Sequence, residues 1–163
     1  MYGTEPFLGK EEIKKSLLDF DEMSGELLEK GDPKPKVVIV GGGAFILNDK
    51  TPRMTCDIDV LCPPSMLSGI LDINNMNQRV NAYIDSFPYN FEDRLIKVDL
   101  GDTNCEYYTP SLEDLVVSKL YGLRPNDMSD LTSKETLESI NWELLDYLVF
   151  DRDEVFANAL SGH

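Results

Sequence analysis

The sequence predicts an α/β (α+β) domain in which a small mixed or antiparallel sheet is flanked by helices. Three observations support this class: an apolar β-branched run, KVVIV, that ends in three glycines; a second short run, TCDIDVL; and helical spacing of apolar residues at both ends of the chain. With 163 residues, 42% of them hydrophobic, the chain suits one domain with its own core. We expect a single domain over 1–163, with an N-terminal helical segment 1–35, a sheet core 36–109 and a helical C-terminal part 110–163.

The sequence of the N-terminal third predicts a helix, a strand and a glycine turn, in that order. Between Lys10 and Lys30, apolar residues recur at mostly helical spacing among acids and lysines, which predicts one or two amphipathic helices. The prolines of KGDPKPK end this segment, because proline disfavours helix in the residue before it. KVVIV is typical of a buried strand, and Ala44 to Leu47 suits the first turn of a helix.

The rest of the chain alternates short strands with helices. TCDIDVL predicts a second strand ended by CPP, and a mostly helical region follows from Ser65 to Phe87. DRLIKVDL and CEYYT predict two further strands joined by the turn GDTN. From Pro110 onward we expect helices, the first with Ser111 as N-cap and Gly122 as C-cap.

Composition restricts the class of protein. A formal charge of −15 opposes binding to polyanions, so a nucleic-acid partner would need a local basic patch. No window approaches the roughly 20 apolar residues of a membrane helix and no secretion signal opens the chain, so we expect no membrane partner and a soluble, cytoplasmic protein. A single histidine and three unpaired cysteines, which we expect to be reduced, are too few for a zinc site. Six basic residues fall near the predicted site: Lys50, Arg53, Arg94, Lys97, Lys119 and Arg124.

Two acids on the second strand are candidate metal ligands. Side chains alternate along a strand, so Thr55, Asp57 and Asp59 share one face, with successive Cβ atoms roughly 6.5 to 7 Å apart. Two carboxylates this close repel each other unless a positive charge lies between them. Ligation by oxygen alone favours Mg²⁺ or Mn²⁺. The alternative to metal binding is that the two acids lie on a solvated strand edge or in a turn.

The three glycines, Gly41, Gly42 and Gly43, are candidate phosphate contacts. A turn without Cβ atoms lets backbone N–H groups approach an anion closely, although such a turn can also serve tight packing alone. A phosphate cradle beside a divalent cation is what phosphoryl or nucleotidyl transfer needs. The run lacks the G-K-[ST] of a Walker loop and the register of a dinucleotide fingerprint.

VGGGAFILNDKTPRMTCDIDVL, together with LEDLVVSKLYGLRPNDMSDL further on, resembles the nucleotidyltransferase superfamily with the DNA polymerase β type of fold. The likeness is closest to small prokaryotic nucleotidyltransferase-like proteins and AbiEii-type toxin nucleotidyltransferases, which share a run like GGxA…PRxTxDIDL and a later EDLxxxKLxAxRxKDxxDL. It covers about Val37 to Leu131. Thirteen or fourteen residues separate the glycines from the acids, depending on which glycine is counted.

The resemblance implies roles for individual residues. Asp57 and Asp59 would ligate the metal, and Lys119 and Asp127 match a lysine and an acid of the second motif. Here Asn126 replaces the basic residue usual before that acid. Lys119 could instead favour a helix end, and Asp127 could cap the next helix. The nucleotide-binding candidates are Gly41, Gly42, Gly43, Arg53, Thr55 and Lys119, and Arg124 is a further anion contact.

Members of the superfamily commonly use a third carboxylate on a neighbouring strand to activate the attacking hydroxyl. Alternation along DRLIKVDL makes Asp99 our candidate. Glu92, Asp93 and Glu106 are the alternatives.

The predicted activity is transfer of a nucleoside monophosphate from an NTP to a hydroxyl acceptor, with Mg²⁺ or Mn²⁺ as cofactor. The acceptor can be RNA, a protein or a small molecule. One alternative is a non-catalytic relative that binds nucleotide or a partner protein, for example as a component of a toxin–antitoxin pair. Another is an interaction protein that acts through its acidic surface. The candidate partners beyond the substrates are another protein and a second copy of the chain.

Overall fold

The computed structural model describes residues 7–122 and 130–150. The helices are α1 (Lys10–Leu27), α2 (Gly41–Leu47), α3 (Leu112–Gly122), α4 (Lys134–Ser139) and α5 (142–150). The strands are β1 (Lys36–Val40), β2 (Ile58–Leu61), β3 (Met76–Asn77), β4 (Ile96–Lys97) and β5 (Glu106–Thr109). Short 3₁₀ segments cover Ser65–Ile70, Asp72–Asn74, Arg79–Ser86 and Phe91–Arg94.

The strands form one mixed five-stranded sheet in the order β3-β2-β1-β5-β4. The pairs β1–β2 and β4–β5 are antiparallel, whereas β1–β5 and β2–β3 are parallel. Helices flank this sheet, which confirms the predicted fold class. Because of these directions, the C-terminal ends of β1 and β5 lie at the same end of the sheet as the N-terminal ends of β2, β3 and β4.

The two faces of the sheet differ. One face carries Val37, Ile39 and Tyr107 and is covered by α1 and α2, whose buried side chains complete the core. Phe20 of α1 meets Tyr107 edge-on, with ring centroids 6.4 Å apart. The opposite face, which we call the site face, carries Val38, Val40, Asp59 and Leu61, since the register pairs Val38 with Leu61 and Val40 with Asp59.

A buried carboxylate fixes α1 to the start of β5. Asp21 accepts hydrogen bonds from the backbone amides of Asn104 (2.8 Å) and Cys105 (2.9 Å) and from the hydroxyl of Tyr107 (2.9 Å). All three cysteines are free thiols, and Cys105 is the buried one. Burial raises the pKa of the Cys105 thiol, so this group stays neutral and unreactive at physiological pH.

Several predicted boundaries move. The N-terminal segment is one helix, and the predicted strand TCDIDVL begins only at Ile58, because Thr55 instead forms an isolated antiparallel bridge with Leu8. The region expected to be mostly helical consists of 3₁₀ segments interrupted by β3. The strand in DRLIKVDL is limited to Ile96–Lys97. No helix in the described ranges has the length and apolar character needed to cross a membrane.

Candidate active site

The site lies where β1 ends and β2 begins. Val40 is in register with Asp59, and the chain turns directly from Val40 into α2 through Gly41, whose φ is +64°. A Cβ atom on Gly41 would lie only 2.7 Å from Oδ2 of Asp59. The first glycine is therefore required both by its backbone conformation and by the closeness of the carboxylate.

Asp57 and Asp59 converge on one point. The side-chain amide of Asn77 donates to Oδ2 of Asp57 (3.2 Å) and to Oδ1 of Asp59 (3.1 Å). A guanidinium nitrogen of Arg79 lies 2.7 Å from the same Asp57 oxygen. Two carboxylates that share one amide donor are placed as the spacing of the D-x-D motif predicts, with Arg79 supplying positive charge.

The donor set suits a divalent cation. Mg²⁺ commonly binds through one or two carboxylates and completes its shell with water and substrate phosphate oxygens. Asp57 and Asp59 provide such a pair. Within the part of the chain that the structure describes, no group of three or more His, Cys, Asp or Glu residues is placed to hold a metal ion. The two carboxylates fit such a cation, whose remaining ligands would be water and substrate oxygens.

Substituting alanine for Gly41 should both strain the turn and disturb Asp59. We expect the free energy of unfolding to fall by about 1–2 kcal/mol, since a side chain at positive φ is disfavoured. Binding of Mn²⁺ should weaken in addition, because the new methyl group displaces the Asp59 carboxylate. Chemical denaturation and titration calorimetry measure the two effects.

Gly31→Ala is the matched control for this substitution. Gly31 also has a positive φ (+98°), but nothing lies within 4 Å of its missing Cβ. It should therefore lose stability without any change in Mn²⁺ binding. Equal Mn²⁺ affinity in the two variants would contradict a role for the closeness of Gly41 to Asp59.

The other two glycines have different neighbours. The missing side chain of Gly42 faces the guanidinium of Arg53, which lies against this turn. That of Gly43 faces Ile39 and Ile58 on the helix-covered side of the sheet, at 3.5 and 3.9 Å. The absence of a side chain at Gly43 thus serves the packing of α2 on the sheet, one of the two readings that the sequence allowed.

Arg53 belongs to a buried ionic cluster with Asp130 and Lys119. Its Nε and Nη2 contact the two carboxylate oxygens of Asp130 at 2.6 and 2.7 Å, and Nζ of Lys119 lies 2.9 Å from Asp130 Oδ2. The side chain of Asp130 is fully buried and that of Lys119 is 5% exposed. The Lys119 ammonium also lies 5.2 Å from the ring centroid of Phe45 in α2. This cluster joins the glycine turn to α3 and to the chain after residue 129.

Acid should weaken this cluster. Burial alone would raise the pKa of Asp130, but the hydrogen bonds from Arg53 and the charge of Lys119 outweigh it and lower that pKa. The unfolded chain takes up this proton near pH 3.9 and the folded chain only at lower pH. The stabilisation is therefore complete above about pH 4 and is lost as the pH falls through the lower, folded-state pKa.

This expectation can be measured as a difference between two proteins. The free energy of unfolding of wild type should exceed that of Asp130→Asn by a constant amount between pH 5 and 7, and the difference should shrink below about pH 4. A difference that persists unchanged into strong acid would contradict the lowered pKa.

Of the remaining predicted site residues in the described ranges, Thr55 lies beside the carboxylate pair and Asp99 does not. The hydroxyl of Thr55 donates to the carbonyl of Asp57 (3.2 Å) and so supports the loop before β2. Asp99 follows β4 and therefore lies towards the end of the sheet opposite the site, where its Oδ1 accepts from the amide of Gly101 (3.0 Å). The topology does not bring it to the carboxylate pair. Arg124 and Asp127 lie outside the described residues.

A cleft of about 450 Å³ opens on the site face. Its lining includes Lys36, the first residue of β1, and Leu61, the last residue of β2, so the cleft extends from the middle of this face towards the end opposite Asp59. Glu92 and Asp93 also line it, and both precede β4, on the side of the strand nearest the site end of the sheet. These alternatives to Asp99 lie on the correct face of the sheet.

Sequence reasoning missed three residues of this arrangement. Asn77 could not be predicted as a site residue because its strand has only two residues. Arg79 lies in a segment that was expected to be helical. Asp130 did carry a signal, since it is the second acid of NDMSDL, the run that closes the later motif. A buried partner for the Arg and Lys of the two motifs could have been sought there.

A known protein family matches most of the chain. The family described as "Nucleotidyltransferase of unknown function (DUF6036)" matches residues 15–163. Neither a curated protein nor a solved structure matches the chain. The match spans nearly the whole sequence and includes both acids, the glycine turn and the ionic cluster. The chain therefore belongs to this family of nucleotidyltransferases of unknown function.

Proposed function

We propose that the protein transfers a nucleoside monophosphate from an NTP to a hydroxyl acceptor, in the manner of the DNA polymerase β type of nucleotidyltransferases and their AbiEii-type branch. The observation that carries this proposal is the convergence of Asp57 and Asp59 on one point beside a glycine turn. The family match supports the coarser activity, and the distances within the site support the assignment of residues.

Asp57 and Asp59 would hold Mg²⁺ or Mn²⁺, which when bound offsets the negative charge on the reacting phosphate. The missing side chains of Gly41 and Gly42 make room for Asp59 and for the guanidinium of Arg53, and the backbone N–H groups of this turn would contact the other phosphates. Arg53 lies against Gly42 but is paired with Asp130, so it serves mainly to support the turn.

The reaction needs a group that accepts a proton. The acceptor oxygen forms a bond to the α-phosphorus as the bond from that phosphorus to the β-phosphate oxygen breaks, and pyrophosphate leaves. The hydroxyl proton passes to a carboxylate. Asp93 or Glu92, which precede β4 and line the cleft on the site face, would take this role in place of Asp99.

The charges around the site favour a small molecule or a protein over RNA as acceptor. Three of the six basic residues near the site are tied to buried acids: Arg53 and Lys119 to Asp130, and Arg94 to Asp114. Because such an ion pair is close to neutral overall, its cation attracts a phosphate only weakly. The cleft itself adds two carboxylates, from Glu92 and Asp93.

Incubation with each of the four labelled NTPs tests the proposal, with Mg²⁺ or Mn²⁺ present or removed by chelation. Candidate acceptors are a cell extract separated into protein, RNA and small-molecule fractions. We expect label to move to one fraction only when a divalent cation is present. Absence of transfer with all four nucleotides and both cations would overturn the proposal.

A non-catalytic relative that binds nucleotide is the second candidate. It is favoured by the ion pair between Arg79 and Asp57, which places a cation of the protein itself on a predicted metal ligand. Under this alternative, an NTP with Mg²⁺ raises the melting temperature, because a ligand that binds the native state stabilises it, but no label is transferred.

A further inference from the structure

Both ends of the Asn77 side chain are engaged at the carboxylate pair. Its Oδ1 accepts from the backbone amide of Arg79 (3.1 Å), which turns its NH₂ group towards Asp57 and Asp59. That NH₂ group then donates to both acids. Since rotating the amide would break all three hydrogen bonds, Asn77 holds the two carboxylates in a fixed relation.

Arg79 shares one carboxylate oxygen with Asn77. Oδ2 of Asp57 lies 2.7 Å from Nη2 of Arg79 and 3.2 Å from Nδ2 of Asn77. The side chain of Arg79 is 76% exposed and that of Asp57 is 42% exposed. A divalent cation arriving from solvent would therefore compete directly with the guanidinium for this oxygen, and the guanidinium has open solvent into which to withdraw.

Asn77 also occupies a position where an acid would change the site. It lies in register with Asp59 on the neighbouring strand β3, and residues in register share one face of a sheet. A carboxylate here would be a third acid directed at the same point. The chain instead has a neutral amide, which can bridge two anions without adding repulsion.

We propose that Asn77 and Arg79 form an internal lock on the carboxylate pair. Asn77 is a positioning residue that holds Asp57 and Asp59 together, and Arg79 neutralises Asp57 until a divalent cation displaces it. The lock rests on the proposed function in one respect, since it requires Asp57 and Asp59 to receive the cation. It adds that this chain sets its own cation affinity through two residues that are not ligands.

Titration calorimetry with Mn²⁺ alone, without nucleotide, tests the lock. Arg79→Ala removes the competitor and should bind Mn²⁺ about threefold more tightly, as expected for loss of an exposed ion pair. Asn77→Asp supplies a third carboxylate and should bind about tenfold more tightly, because affinity rises with the number of charged ligands. Asn77→Ala should bind more weakly than wild type.

Lys34→Ala is the matched control for Arg79→Ala. Lys34 also carries a single positive charge in an exposed ion pair, with Asp102 at 3.6 Å, but it precedes β1 and so lies towards the end of the sheet opposite the site. Its loss should leave Mn²⁺ affinity unchanged. Equal tightening in the two variants would mean that net charge alone acts, and this would overturn the lock.

The stability of Asn77→Asp gives a second readout. Three close acids repel one another, so this variant should melt below wild type without a cation and recover with saturating Mn²⁺. If it does not fold, Arg79→Ala still decides the question. Unchanged Mn²⁺ affinity in Arg79→Ala, or no Mn²⁺ binding by any of the proteins, would overturn the lock.

The labelled-NTP assay on wild type separates this proposal from the proposed function. If wild type binds Mn²⁺ and Arg79→Ala binds it more tightly, but no label is transferred, the lock is supported and the proposed transferase activity is contradicted. If wild type transfers label and the variants bind Mn²⁺ with the same affinity as wild type, the activity is supported and the lock is contradicted.

Discussion

Asp57→Asn should lower the rate of nucleotidyl transfer on the order of a thousandfold while leaving the fold intact. A bound cation supplies several kcal/mol of charge stabilisation in the transition state, and about 4 kcal/mol corresponds to three factors of ten in rate. Asparagine keeps the shape of aspartate but not its charge. Transfer of label from NTP under saturating nucleotide and Mg²⁺ gives the rate.

The same substitution should change stability little. The ion pair that it removes, between Asp57 and Arg79, is largely exposed, and such pairs contribute about 0.2–1 kcal/mol. Asp19→Asn is the matched control, since Asp19 forms an exposed pair with Lys15 on α1 and should affect neither rate nor fold. Full activity in Asp57→Asn would contradict a catalytic role for Asp57.

Asp130→Asn should lower the free energy of unfolding by about 3–5 kcal/mol, the usual effect of removing one partner from a buried ion pair. The change leaves Arg53 and Lys119 facing a neutral amide in a region where Lys119 is only 5% exposed. Because Arg53 lies against Gly42, the glycine turn should also become less rigid. Urea denaturation followed by circular dichroism measures the loss.

Asp102→Asn is the control for this second substitution, since the Asp102 side chain is fully exposed beside Lys34 and should contribute well under 1 kcal/mol. Replacing Lys119 with methionine in addition to Asp130→Asn should restore part of the stability, because one of the two positive charges that face residue 130 is then gone. A loss below 1 kcal/mol in Asp130→Asn alone would show that Arg53 and Lys119 find other partners.

The sequence was sufficient for the parts of the site that depend on local pattern. KVVIV marked β1, the glycines marked its end, and the D-x-D spacing placed Asp57 and Asp59 close together. These features follow from residue type and from the alternation of side chains, which act over a few residues. The confirmed fold class depends on the same local signals.

The parts that depend on distant pairing were not predictable in this way. Asn77 contributes because a two-residue strand happens to pair with β2, and no pattern of two residues identifies a strand. Asp99 alternates correctly within its segment, but which end of the sheet it occupies depends on the direction of β4 relative to β5. Alternation determines the face of a sheet, and only topology determines the end.

The central parallel pair of strands has a consequence for how the chain acquires its structure. β1 pairs with β2, which follows it closely in the sequence, and also with β5, where Lys36 pairs with the distant Glu106. Contacts between distant segments cost loop-closure entropy, so β5 should dock late and limit the folding rate. On the ribosome, a nascent chain that ends before Thr109 would expose one edge of β1. That stage is when this protein should depend most on chaperones.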